Sequence, residues 1–75
     1  MTVRHERKAM KLLVDREADA LYLRLDDSRV VESQEVSSGI VLDYNEDNQV
    51  VGIEVLRLSE RTPHLDLEEL QYKSA

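Results

Sequence analysis

The stretch Gly39 to Leu58, GIVLDYNEDNQVVGIEVLRL, leaves the chain few ways to fold. With Asp47-Asn48 at the centre of a two-residue turn, Tyr44 faces Val51, Leu42 faces Ile53 and Ile40 faces Val55. Directly opposed residues share a face of a sheet. All six apolar side chains therefore gather on one side, while Asp43, Gly52, Val41 and Glu54 take the other. A slip of one residue would mix the two sets, so the pattern fixes the register. Asp and Asn both tolerate the positive φ that such a turn needs.

The same stretch mimics a calcium loop. Asp43, Asn45 and Asp47 fall at the first, third and fifth positions of a twelve-residue loop, with Gln49 seventh, Val50 eighth and Glu54 twelfth. Oxygen ligands at that spacing are the EF-hand signature. Three features oppose coordination. Asn48 stands where the sharp turn prefers glycine, the flanks GIVL and VLRL read as strands, and the hairpin puts Asp47 at the tip, away from Asp43 and Glu54. The hairpin reading is adopted. Weak binding of a divalent cation or small ligand by the acidic turn residues is the alternative.

A second hairpin precedes the first. Pairing Val14 with Leu21 sets Leu12 opposite Leu23 and Met10 opposite Leu25, again all apolar on one side. Lys11, Leu13, Tyr22 and Arg24 fall on the reverse side. Helix formers between Arg16 and Leu25 compete, but the alternation at Leu21, Leu23 and Leu25 decides for a strand. Asp15 and Asp19 bracket the loop, where short acidic side chains can accept backbone N–H groups. Val30 to Val36 is a polar strand suited to an edge, and Ser37-Ser38-Gly39 turns the chain. Thr62-Pro63 ends the sheet. Asp66 with Glu69 resembles a capping box, which predicts a short C-terminal helix with Leu67 and Leu70 toward the sheet. The fold expected is α+β, mostly β: an antiparallel sheet of about five strands built from two hairpins, plus that helix. Residues 1–9 are expected to be a disordered leader and residues 10–75 a single domain.

Composition narrows the function classes. The net charge is −6, which opposes nucleic-acid binding by bulk electrostatics and favours a basic partner. The chain has no cysteine, and His5 and His64 lie near opposite ends, so neither disulfides nor a Cys/His zinc site is expected. No apolar run reaches membrane-spanning length and no signal-peptide core is visible, so a cytoplasmic location is expected. A chain of 75 residues buries little on folding, and self-association is the remaining supplement, so a homodimer is expected. Val41, Val50 and Leu56, assigned to the reverse side, point the same way.

Catalytic signals are weak. Asp15, Glu17 and Asp19 form an acidic loop, which a hydrolytic reading would need to hold in a cleft; a solvated turn is the simpler account. Ser59 and His64 lack a nucleophile elbow, and two glycines cannot make a phosphate loop. No enzyme activity and no cofactor is expected. Tyr22 and Arg24, beside Leu13, form the expected contact patch unless the C-terminal helix covers it. Glu32 and Glu35 are the acids expected to meet a basic partner.

With both hairpins placed, VDREADALYLRL and SSGIVLDYNEDNQVVGIEVL together resemble a small bacterial domain family of unknown function, DUF2283. The shared pattern is the loop Asp15 to Asp19, Leu21-Tyr22 with Leu25, Asp43-Tyr44 with Asp47, and Val51 to Glu54. The likeness runs from Met10 to Arg61 and departs at Arg16, where the family commonly has proline, and at Asn48, where it commonly has glycine. It implies a compact antiparallel β domain and brings no established activity. A place beside small toxin-like proteins would imply an antitoxin-like role.

Overall fold

The computed structural model describes residues 9–75. The leader reading falls mainly on residues 1–8, outside the described residues. Five strands form one sheet: β1 (Lys11–Asp15), β2 (Ala20–Arg24), β3 (Glu32–Ser37), β4 (Ile40–Tyr44) and β5 (Val50–Val55). A single helical turn, α1 (Leu58–Arg61), follows. The order across the sheet is β1-β2-β5-β4-β3 and every pairing is antiparallel. The β1–β2 hairpin therefore joins the β3–β4–β5 meander through β2 and β5. The polar strand β3 is an edge, as its Glu, Ser and Gln content requires.

The register sorts side chains into two faces. On one, the rows Val14–Leu21–Val55–Ile40 and Leu12–Leu23–Ile53–Leu42 run across four strands. On the other, Leu13–Tyr22–Glu54–Val41–Glu35 and Lys11–Arg24–Gly52–Asp43–Ser33 run across all five. We call these the apolar face and the outer face.

Several expectations are corrected. Ile40, Leu42 and their partners pair as expected, but Tyr44 lies opposite Val50, because a bulge interrupts the ladder after Asp43. Val50 thus leaves the outer face, and Val51 becomes the most buried side chain among the described residues, at 0% exposure. The turn is also longer than two residues. Asn48 N–H donates to the Asn45 carbonyl at 3.0 Å, and Asn45 N–H to the Gln49 carbonyl at 3.0 Å. Only Asn48 takes a positive φ, 61°; Asp47 does not. One left-handed residue closing a longer turn into a bulge is a standard alternative to the two-residue hairpin.

Met10 does not pair with Leu25. The ladder starts at Lys11 opposite Arg24, and Leu25 N–H turns to the Val51 carbonyl at 2.8 Å. The helix expected at Asp66 is absent; the helical turn lies earlier, at Leu58–Arg61. Asp66 Oδ1 instead accepts Glu68 N–H at 2.8 Å, a local turn that takes the place of a cap. What favours the earlier turn is an acceptor far off in sequence. Ser59 N–H donates to both Asp19 carboxylate oxygens, at 3.1 and 3.2 Å, and Leu58 N–H donates to the Asp19 carbonyl at 2.9 Å. Arg57, at φ 53°, redirects the chain from β5 into this arrangement.

Candidate functional site

The densest polar arrangement lies on the outer face. The Tyr22 hydroxyl donates to Asp43 Oδ2 at 2.6 Å, and Ser33 Oγ donates to Asp43 Oδ1 at 2.6 Å. Arg24 Nη1 donates to the Tyr22 oxygen at 3.2 Å, and Arg24 Nε donates to the Asp26 carbonyl at 2.6 Å. Arg24 Nη2 completes the set on the Ser28 carbonyl. Burial raises the Tyr22 phenol above its ordinary value, and the bond to Asp43 adds to that. The bond to Tyr22 raises the Arg24 guanidinium in turn. The Asp26 carboxyl is lowered by hydrogen bonds from Ser28, first from its side chain and then from its backbone.

Gly52 makes this network possible. A Cβ there would stand 2.9 Å from Tyr22 Cζ and 3.0 Å from Asp43 Oδ2. The phenol lies across the place a side chain would fill. A lone glycine inside a strand pattern signals such an approach, but sequence reading did not connect it to Tyr22. Ser33 was missed as well, and no sequence signal marks it.

The remaining candidate residues are dispersed. Asp15 Oδ1 accepts Ala18 N–H at 3.1 Å across its own loop. Asp19 anchors α1, and its Oδ2 also accepts the Ser59 hydroxyl at 2.7 Å. Glu54 sits on the outer face opposite Tyr22 and Val41. Asp47 lies in the tip, where its N–H donates to Asn45 Oδ1 at 3.0 Å. Asn45, 6% exposed, also accepts Gln49 N–H at 2.9 Å, so the turn's backbone has taken the oxygen an EF-hand would offer a cation. Among the described residues no group of three or more His, Cys, Asp or Glu is placed to hold a metal ion.

The expected contact residues divide between the two faces. Tyr22, Arg24 and Glu35 lie on the outer face; Glu32, opposite Tyr44, belongs to the other. Glu35 Oε2 accepts Gly39 N–H at 2.8 Å, and Glu32 Oε2 accepts from the Gln34 amide at 2.7 Å. Tyr22 and Arg24 border an open depression of about 440 Å³ with Lys11, Leu12, Leu13 and Asp27. The C-terminal segment does not cover it. Residues 65–70 lie beside Leu12, Val14 and Leu21 on the apolar face instead.

Even there the cover is thin. Only Ala20, Val51 and Leu58 are buried apolar side chains among the described residues. Leu70 and Tyr72 are 69% and 74% exposed, and they border a second depression of about 640 Å³ with Met10, Leu12, Leu21 and Leu23. Among the described residues no helix is long and apolar enough to cross a membrane.

The arrangement explains the motif pattern as architecture. Tyr22, Asp43 and Gly52 lock β2, β4 and β5 together, while Asp15 and Asp19 shape one loop and tie α1 to it. A family model described as "Protein of unknown function (DUF2283)" matches residues 11–59. The matched span opens with β1 and closes at Ser59, the residue Asp19 grips. No curated protein and no solved structure matches the chain. On the strength of a match over more than half its length, the chain belongs to the DUF2283 family of proteins of unknown function.

Proposed function

We propose that the protein is a non-enzymatic protein-interaction module that works as a homodimer and takes a basic protein as its partner, an antitoxin-like role being one form of this. The observation that supports the reading is a single-layer sheet whose outer face is open and whose apolar face meets the chain's own C-terminal segment only beside β1 and β2. Domains normally stack at least two layers around a core; here the second layer is supplied from outside. The polar motif residues are tied to one another and to backbone groups, which leaves surfaces rather than a cleft with convergent reactive groups. The charge of −6 sets the partner's sign.

The test is co-purification with cross-linking from cells that express the protein, eluted by a salt gradient, for the wild type and for Glu32→Lys/Glu35→Lys. A basic protein retained at low salt, released as salt rises and lost from the variant is the expected result. No retained protein, or retention indifferent to salt and to the reversal, would rule the reading out.

A further inference from the structure

We infer that two copies of this chain pack their apolar faces together about a two-fold axis, forming a two-layer sandwich whose facing surfaces are the Leu12–Leu42 and Val14–Ile40 rows. This rests on the homodimeric part of the reading above and names its surface.

The argument starts from charge. Asp, Glu, Lys and Arg make up 35% of the chain, yet none stands in the two rows that cross β1, β2, β5 and β4. An unbiased draw at that frequency would place two or three charges among eight positions. Burying a face without charges leaves no ion to desolvate. The acidic residues lie outside these rows, on the outer face, in the loops and along β3, where Gln34 and Ser37 mark the end of the apolar rows. Asp66, Glu68 and Glu69 border the strip only beside Leu12, Val14 and Leu21; along the rest of it a basic partner would find nothing to pair with. A second copy brings the same uncharged strip, and an isologous two-fold contact matches such a surface to itself.

The geometry agrees. Four strands about 4.8 Å apart make a strip that a second sheet covers at about 10 Å separation, the ordinary spacing of a β-sandwich. The chain's own C-terminal segment reaches only the β1–β2 side. It leaves Met10 56% exposed and Leu12 39% exposed, so the second depression opens directly onto the strip. A facing copy closes that depression, with Leu70 and Tyr72 at its rim.

Two neighbours on β1 provide the test. Leu12 and Leu13 are both exposed, at 39% and 62%, but they point to opposite faces. The mass in solution is measured by light scattering for the wild type, Leu12→Glu and Leu13→Glu, with circular dichroism to confirm folding. Wild type and Leu13→Glu are expected at twice 8.7 kDa, and Leu12→Glu at 8.7 kDa. If Leu12→Glu fails to fold, Leu12→Ser replaces it, with dimer dissociation at higher concentration than wild type expected. A dimer lost with Leu13→Glu and kept with Leu12→Glu overturns the inference while leaving a homodimeric module standing. A wild type monomeric at every concentration overturns both this inference and the homodimeric reading, and co-purification decides independently whether a basic partner binds.

Discussion

On the outer face, strands are joined through their side chains: Tyr22 on β2 reaches across β5, its phenol laid over Gly52, to Asp43 on β4, and Asp43 bonds Ser33 on β3. On the apolar face the same strands offer each other only van der Waals contact, and most of those side chains keep part of their surface in water. The outer face thus specifies which strand sits beside which, because its bonds are directional and need exact neighbours. The apolar face supplies a driving force without direction, and its side chains remain partly in water. Apolar alternation sets the register, and the polar bonds of the outer face tie named neighbours together within it.

The comparison fails first, if it fails, at Gly52. Gly52→Val should displace the phenol and break the link between β2 and β4, at a cost of about 3 kcal/mol in urea unfolding. A loss no larger than that of an ordinary strand substitution would mean Tyr22 can swing away freely. Asn45→Ala comes next. It strands two turn N–H groups, those of Asp47 and Gln49, and should cost about 2 kcal/mol, read as a lower denaturant midpoint.

A smaller effect is expected at high pH. The folded state holds the Tyr22 proton more tightly than the unfolded chain, whose phenol loses it near 10.0. Stability from this group is therefore complete below that pH and is lost as pH rises through the folded value. Tyr22→Phe should remove that part of the alkaline decline, visible as a shallower fall of the urea midpoint above pH 10. The smallest effect belongs to the C-terminal segment. Arg16 and Glu68 form its ion pair with side chains 59% and 70% exposed, so Glu68→Gln should change stability by at most about 0.5 kcal/mol in the same assay. A large loss there would make the segment an integral part of the fold rather than a loose cover.

Much of the fold was legible because strands write their partners into alternation. Val14 with Leu21, Leu12 with Leu23 and Ile40 with Val55 all follow from keeping apolar residues together, and the polarity of β3 marks it as an edge. The errors came where one residue's fate depends on a distant one. Asp66 has the local look of a helix cap, but Asp19 lies against Ser59 and favours the earlier turn. At the hairpin tip the cause is local: Asp47-Asn48 suits a two-residue turn, but the nearby Asn45 side chain turns inward and organises a longer loop. Alternation places Tyr22 and Arg24 on one face, and the register has them there. The bond of Tyr22 to Asp43 depends on the β2–β5–β4 adjacency, which alternation alone cannot reveal, and those of Arg24 to the Asp26 and Ser28 carbonyls depend on how the chain leaves β2.

The most direct test of the claim that these motif residues hold the sheet together is a double-mutant cycle between Tyr22→Phe and Asp43→Ala, measured by urea unfolding. The account predicts losses that do not add, with a coupling of about 1 kcal/mol across β2 and β4. Strictly additive losses would contradict it, since the two side chains would then stabilise the protein independently of the bond between them.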